Sequence, residues 1–277
     1  MRLQSRLRTA VLLAAIAAAA PAALGAEPEA TAAPPASATK PAEYSDRLFL
    51  SFAQEANLVP SQWWEGQLEY ADGNKDIPVD VFLFRGVVAF HPIKALEVGG
   101  RVGFGSSDSP GPNDGTGATD LDLYGKWVFV DVGQNLDLAA GAMVTVPTGD
   151  DSAGLGFDAF SVQGFGSIRY RFEQVELGAN VGIRVNEDGH YQTVDLQGKT
   201  SFRLGISALF PLASQVSLLG EAQFETDRFE NVDGDSEVLA GINWRVFGRG
   251  MLRGAVAAGL SRGAPDFRVI AAYAYTF

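Results

Sequence analysis

Apolar and polar residues alternate through most of this chain, most clearly from Phe267 to Phe277. Phe267, Val269, Ala271, Tyr273, Tyr275 and Phe277 make one row. Arg268, Ile270, Ala272, Ala274 and Thr276 make the other, which carries the polar groups. A period of two predicts a strand whose two faces meet different surroundings. Its length matches the roughly 9–11 residues that a tilted strand needs to cross a bilayer. A soluble sheet can alternate in the same way, so the argument depends on repetition.

From Ser61 onward such segments recur, about twelve of them, near 61–71, 79–91, 95–106, 119–130, 136–146, 159–172, 175–185, 194–210, 215–227, 236–247, 251–262 and 267–277. In the seventh, Val175, Leu177, Ala179, Val181, Ile183 and Val185 oppose Glu176, Asn180 and Arg184. In the eighth, Val194, Leu196, Phe202, Leu204, Ile206, Ala208 and Phe210 are expected on one face. Asp195, Gln197, Lys199, Ser201 and Arg203 are expected on the other. The connections alternate too. Short turns such as His91–Lys94, Glu173–Gln174 and Gly248–Gly250 interleave with longer acidic loops such as Ser107–Ala118, Pro147–Asp158 and Arg228–Asp235.

The outward aromatics sort by height. Phe90, Trp127, Phe129, Tyr170, Phe172, Phe210, Trp244, Tyr275 and Phe277 fall near the short turns. Tyr70, Phe82, Phe104, Phe160, Phe224 and Phe267 fall near the long loops. Two aromatic belts around an aliphatic band mark a bilayer, and a β-sandwich has no reason to sort its aromatics this way. The expected fold is all-β: a transmembrane antiparallel β-barrel of about 12 strands, of the outer-membrane type, over residues 61–277. Phe277 ends the last strand on an aromatic residue, as such barrels commonly do, and is the expected assembly signal for the barrel-assembly machinery.

The N-terminus reads differently. Arg2, Arg6 and Arg8 precede a short apolar run ending in small residues, which predicts a signal peptide over residues 1–26. Its removal takes the formal charge from −12 to −15, because three arginines leave and no acid does. An acidic exported chain argues against nucleic acid and against docking on anionic lipid, while the barrel reading gives outer-membrane lipid, lipopolysaccharide and a small solute as the expected partners. Residues 27–60 form an Ala/Pro-rich periplasmic segment. Within it, residues 46–60 fit a short plug, a periplasmic helix or an extra strand equally well. With no cysteine in the chain, disulfides and thiolate chemistry are excluded.

The inward rows of the predicted strands hold Arg85, Arg101, Lys126, Arg169, Arg171, Arg184, Lys199, Arg203, Arg245, Arg253 and Arg268. They also hold Glu65, Glu69, Glu97, Asp120, Asp122, Asp137, Glu176, Asp195, Glu221, Glu225, Asp227 and Glu237. These candidate lumen residues differ by one charge, so they predict either cross-strand pairing that fills the barrel or a polar ladder for a solute. Thirteen loop acids, Asp235 among them, are placed at the outer rim with Lys75, Arg228 and Arg262 as the only bases there. The Asp72-x-Asn74-x-Asp76 and Asn231-x-Asp233-x-Asp235 runs lack the glycine and flanking helices of a calcium loop, so no metal or cofactor is expected. His91 and His190 have no nucleophile arranged beside them, so no catalytic residue is assigned and no enzyme is expected.

Three stretches resemble a known family: Gly117-Ala-Thr-Asp-Leu-Asp-Leu-Tyr-Gly-Lys-Trp-Val-Phe129, Val146-Pro-Thr-Gly-Asp-Asp-Ser-Ala-Gly154, and Gly259-Leu-Ser-Arg-Gly-Ala-Pro-Asp-Phe267. The chain is similar there to the outer-membrane barrels named for the meta pathway of phenol degradation, often labelled transporters. The resemblance covers most of residues 61–277, and it implies a barrel and uptake of aromatic compounds. Arg262 stands where the family's turn is usually small or acidic. The functional expectation is a channel or facilitator for small, aromatic or neutral solutes. The alternative is a non-conducting structural barrel.

Overall fold

Residues with one lipid-facing and one interior row form strands, and strands satisfy every backbone group inside a bilayer only when the ladder closes on itself. The computed structural model describes residues 47–58, 62–73, 79–109, 114–133 and 135–277. The signal-peptide expectation, residues 27–46, and Lys75 with Asn74 and Asp76 lie outside them. In chain order the strands are β1 (Gln62–Asp72), β2 (Asp80–Ile93), β3 (Leu96–Asp108), β4 (Gly115–Ala118), β5 (Leu121–Gly133) and β6 (Leu136–Val146). There follow β7 (Ser161–Arg171), β8 (Glu176–Asn186), β9 (Gly189–Tyr191), β10 (Val194–Leu196), β11 (Thr200–Ala213), β12 (Val216–Glu225), β13 (Asp235–Val246), β14 (Gly250–Gly259) and β15 (Phe267–Thr276).

All wall strands pair antiparallel with their sequence neighbours, and β1 closes on β15 through Trp64↔Tyr275 and Leu68↔Ala271. β4 and β5 both pair with β3 and together make one wall strand, so the barrel has twelve. The register puts the apolar rows outside. Leu204, Ile206, Val181, Phe104 and Trp127 are all exposed on the outer wall, as lipid contact requires. Closure leaves the barrel wall with no free sheet edge among the described residues.

Two elements differ from the sequence expectation. The eighth segment is broken: Val194–Leu196 pairs with Gly189–Tyr191 in a separate hairpin, and the wall strand starts only at Thr200. Leu196 therefore packs with Ala159 and Phe229 rather than facing lipid, and Asp195 is exposed on the hairpin rather than inside. The fourth segment is interrupted at Thr119 and Asp120, where the register against β3 slips by one residue. Thr119 repairs the slip: its N–H donates to Gly103 O at 2.9 Å and its hydroxyl accepts from Gly103 N at 2.8 Å. In the eighth segment the alternation continues past the wall while the pairing with β8 ends at Thr200; in the fourth the partner β3 continues and only the register shifts.

Candidate solute chamber in the barrel lumen

Residues 47–58 lie inside the barrel at the short-turn end, and their polar contacts reach seven different wall strands. The N–H groups of Phe49, Leu50 and Ser51 converge on the Glu221 carboxylate at 2.6, 3.0 and 3.2 Å. Lys126 donates to Glu55 O (3.0 Å), Ser167 to Gln54 O (2.6 Å), Asn180 to Ser51 Oγ (3.3 Å) and Arg203 to Leu50 O (2.7 Å). Arg253 donates to Arg47 O and pairs with Glu65 at 2.6 Å. Polar backbone at this depth is satisfied by the wall side chains.

A buried charge cluster holds the same segment. Arg47 pairs with Glu55 at 2.9 Å and with Glu97 at 3.1 Å, and Lys126 pairs with Glu97 at 3.3 Å. Tyr124 donates to Glu97 at 2.7 Å and stands edge-on to Phe52, with ring centres 5.6 Å apart. Two cations face two anions with almost no solvent contact, so each makes the others tolerable. Apolar side chains complete the floor. Phe52 and Ala53 pack on Trp63, Val87 and Met251, while Leu48 and Phe49 pack on Leu219, Leu239 and Ile270. Arg253 and Arg101 cover the rings of Phe49 and Phe52 at 4.0 and 4.2 Å.

The other end is roofed by loops. Residues 147–160 turn into the barrel, and Ala153 and Leu155 pack on Leu83. Asp120 holds the neck of this loop: its carboxylate accepts from Gly149 N at 3.0 Å and Phe157 N at 3.2 Å. The neck is so tight that a Cβ on Gly156 would lie 2.7 Å from Asp120 Oδ1. Phe157 stacks on Tyr191 (5.3 Å) and leans on Phe229 (5.4 Å), and His190 Nδ1 meets Asp151 Oδ2 at 2.6 Å. Arg228 was expected at the outer rim. It turns inward instead, with its guanidinium 5.1 Å from the Phe157 ring and 5.4 Å from that of Phe229. Burial, and then repulsion from Arg184, pull Arg228 down to about 10. Asp235 also leaves the rim and lines the interior from β13.

Between floor and roof lies a chamber of about 370 Å³, small for a ligand site but within the usual range. Phe49 and Leu50 form its base, and Leu155, Gly156 and Phe157 its top. Of the sequence candidates, Arg85, Arg101, Arg184, Arg203 and Arg268 line it. They are paired across strands: Arg85 and Arg268 with Glu69 (both 2.8 Å), Arg268 with Glu237 (2.6 Å), Arg101 with Asp122 (2.8 Å), and Arg184 and Arg203 with Glu225 (3.0 and 3.6 Å). Lys126 and Glu221 bind the floor segment. Arg169 pairs with Asp137 and Glu176 nearer the short turns, and Arg171 also reaches Asp137. Arg245 donates to Ser214 O in a short turn, while Lys199 meets Asp227 at 3.3 Å at the outer rim. Phe277 packs on Trp64 and Tyr275 at the outer surface.

Sequence reasoning missed Phe157, Arg228 and the Asp120 clamp. The available signal was a set of aromatic residues, Phe157, Tyr191 and Phe229, inside loops otherwise rich in acid.

No protein-family model and no curated protein matches the chain. Solved structures do. The COG4313 outer membrane channel from Pseudomonas putida F1 superposes with a TM-score of 0.68 over 81% of this chain and 98% of that one, at 15% identity. The fold is that of an outer-membrane barrel. The NanC porin (TM-score 0.55, 5% identity, 78% of this chain and 100% of that one) has the same architecture. So does the KdgM porin solved with disordered oligogalacturonate (0.54, 8%, 78% and 99%).

Proposed function

We propose that this protein is an outer-membrane channel or facilitator for small solutes, closed at rest by residues 47–58. The observation that carries the reading is the polar chamber of about 370 Å³ between two barriers that are not part of the wall, the floor segment and the loop roof. A structural barrel has no need of such a space, because cross-strand pairs alone would fill it. The named channel and porins of similar fold support the same class. The resemblance to the phenol meta-pathway barrels supports aromatic solutes. The lumen charges nearly balance, so conductance is expected to be small or intermittent and only weakly ion-selective. Export by a signal peptide, folding by the barrel-assembly machinery and contact with lipopolysaccharide belong to this reading.

One observation favours the non-conducting alternative: the floor segment is tied to the wall by the buried Arg47–Glu97 ion pair, which is hard to break. Planar-bilayer recording of the refolded protein with and without residues 46–60 separates the two. Greater conductance in the shortened chain supports the channel. If neither form conducts and liposomes carrying either take up no aromatic solute, the structural reading replaces it.

A further inference from the structure

The chamber lining sets six arginines against six carboxylates, but at its roof end one guanidinium has no carboxylate in contact. Arg228 donates to Asn186 Oδ1 at 3.2 Å, and among the described residues no carboxylate lies within ion-pair distance of it. Arg184 is 6% exposed and uses Nη1 on Glu225 (3.0 Å) and Nη2 on Gln163 (2.8 Å). Its buried Nε has no acceptor, and neither has the buried Nε of Arg203. Glu225 is thus the one carboxylate ion-paired among three guanidinium groups. The neighbouring acids offset the charge from a distance while their oxygens are held by other groups: Asp120 accepts from Gly149 N and Phe157 N, and Asp122 from Arg101 and Thr145. A half-buried guanidinium with no carboxylate in contact leaves a place for an anion to meet it.

The same place offers apolar side chains. Phe157 lines the chamber beside Leu155, its ring already packed against Tyr191, Phe229 and the Arg228 guanidinium. A neutral polyol would leave Arg228 with no carboxylate in contact, and a bare inorganic ion would leave the apolar lining uncovered. A planar carboxylate on an aromatic body answers both. We infer that the roof end of the chamber is a subsite for a small aromatic monocarboxylate, with Arg228 and Arg184 binding the carboxylate and Phe157 the ring. The subsite rests on the reading of the barrel as a solute pathway and names the class of solute it takes.

Calorimetry on the refolded full-length protein in detergent tests this with sodium benzoate, sodium acetate and benzyl alcohol as probes. Benzoate should bind at least about tenfold more tightly than either of the others. Arg228→Gln should weaken benzoate about tenfold or more, the order expected for one charge-assisted contact, while benzyl alcohol changes little. Arg228→Lys, which keeps the charge and loses the planar fork, should recover only part of the affinity. Phe157→Leu should abolish the preference for benzoate over acetate. Benzoate binding no tighter than acetate, or equally tight in the glutamine variant, overturns the inference. Liposome swelling with arabinose tests the pathway separately. Swelling without benzoate binding rejects the subsite alone, whereas benzoate binding without any solute uptake rejects the channel and leaves the subsite standing.

Discussion

Replacing Glu221 with glutamine should loosen the floor of the chamber without dismantling the barrel. In the native protein three consecutive backbone N–H groups, from Phe49, Leu50 and Ser51, end on this one carboxylate at 2.6–3.2 Å. A glutamine keeps one acceptor oxygen and presents a donor where the second stood. Hydrogen bonds to a charged group contribute about 1.5–3 kcal/mol each, and a buried donor left without an acceptor costs about 1–3 kcal/mol. The Lys126, Ser167 and Arg253 contacts to the same segment remain, so the losses will not simply add. A net weakening of about 2–4 kcal/mol follows, which is roughly 30- to 1000-fold in the population of the released segment. Because the chain has no cysteine, Ser51→Cys provides a unique reporter. A water-soluble maleimide should label that position far faster beside Glu221→Gln than beside the native glutamate, and bilayer recordings should show correspondingly more frequent openings. Equal labelling rates and equal opening frequencies, in protein that still shows heat-modifiable migration, would refute the latch.

Other substitutions test the wall, the charge cluster and the roof. Leu204→Arg puts a cation on the lipid face, where Leu204 is 50% exposed, and should cost about 2–4 kcal/mol if it lies at mid-bilayer, measured by urea unfolding from lipid vesicles. Lys126→Met leaves Glu97 and Glu55 to share Arg47 alone; the same unfolding assay should report a loss of about 3–5 kcal/mol, and an unchanged midpoint would mean the cluster contributes nothing. Gly156→Val forces a side chain against Asp120 and should open the neck of the 147–160 loop, read as faster liposome swelling with a solute the native protein admits slowly. Phe277→Ala removes a ring packed on Trp64 and Tyr275, worth about 1–2 kcal/mol, yet should lower the amount of assembled protein in membranes by more than that loss explains. Native levels would remove Phe277 as an assembly signal.

Whatever the chain repeats was legible without coordinates. Lipid on one side and a polar lumen on the other impose a period of two, so Val181, Ile183 and Leu204 could be set outward and Arg184 and Arg203 inward from the string of letters. The expected end points of the fifth segment, 136–146, match Leu136–Val146. What had no period could not be placed. The Leu48-Phe49-Leu50-Ser51-Phe52 run suits a plug, a helix or a strand, and only Glu221, 170 residues along the chain from Ser51, sets it in the lumen. Arg228 sits in an acidic loop, and nothing local turns it inward. Phe157 does so, through a loop folded back on Asp120. Local alternation reports the solvent on each face of a strand. The floor and roof of the chamber depend on contacts between residues far apart in sequence, which exist only once the barrel has closed around them.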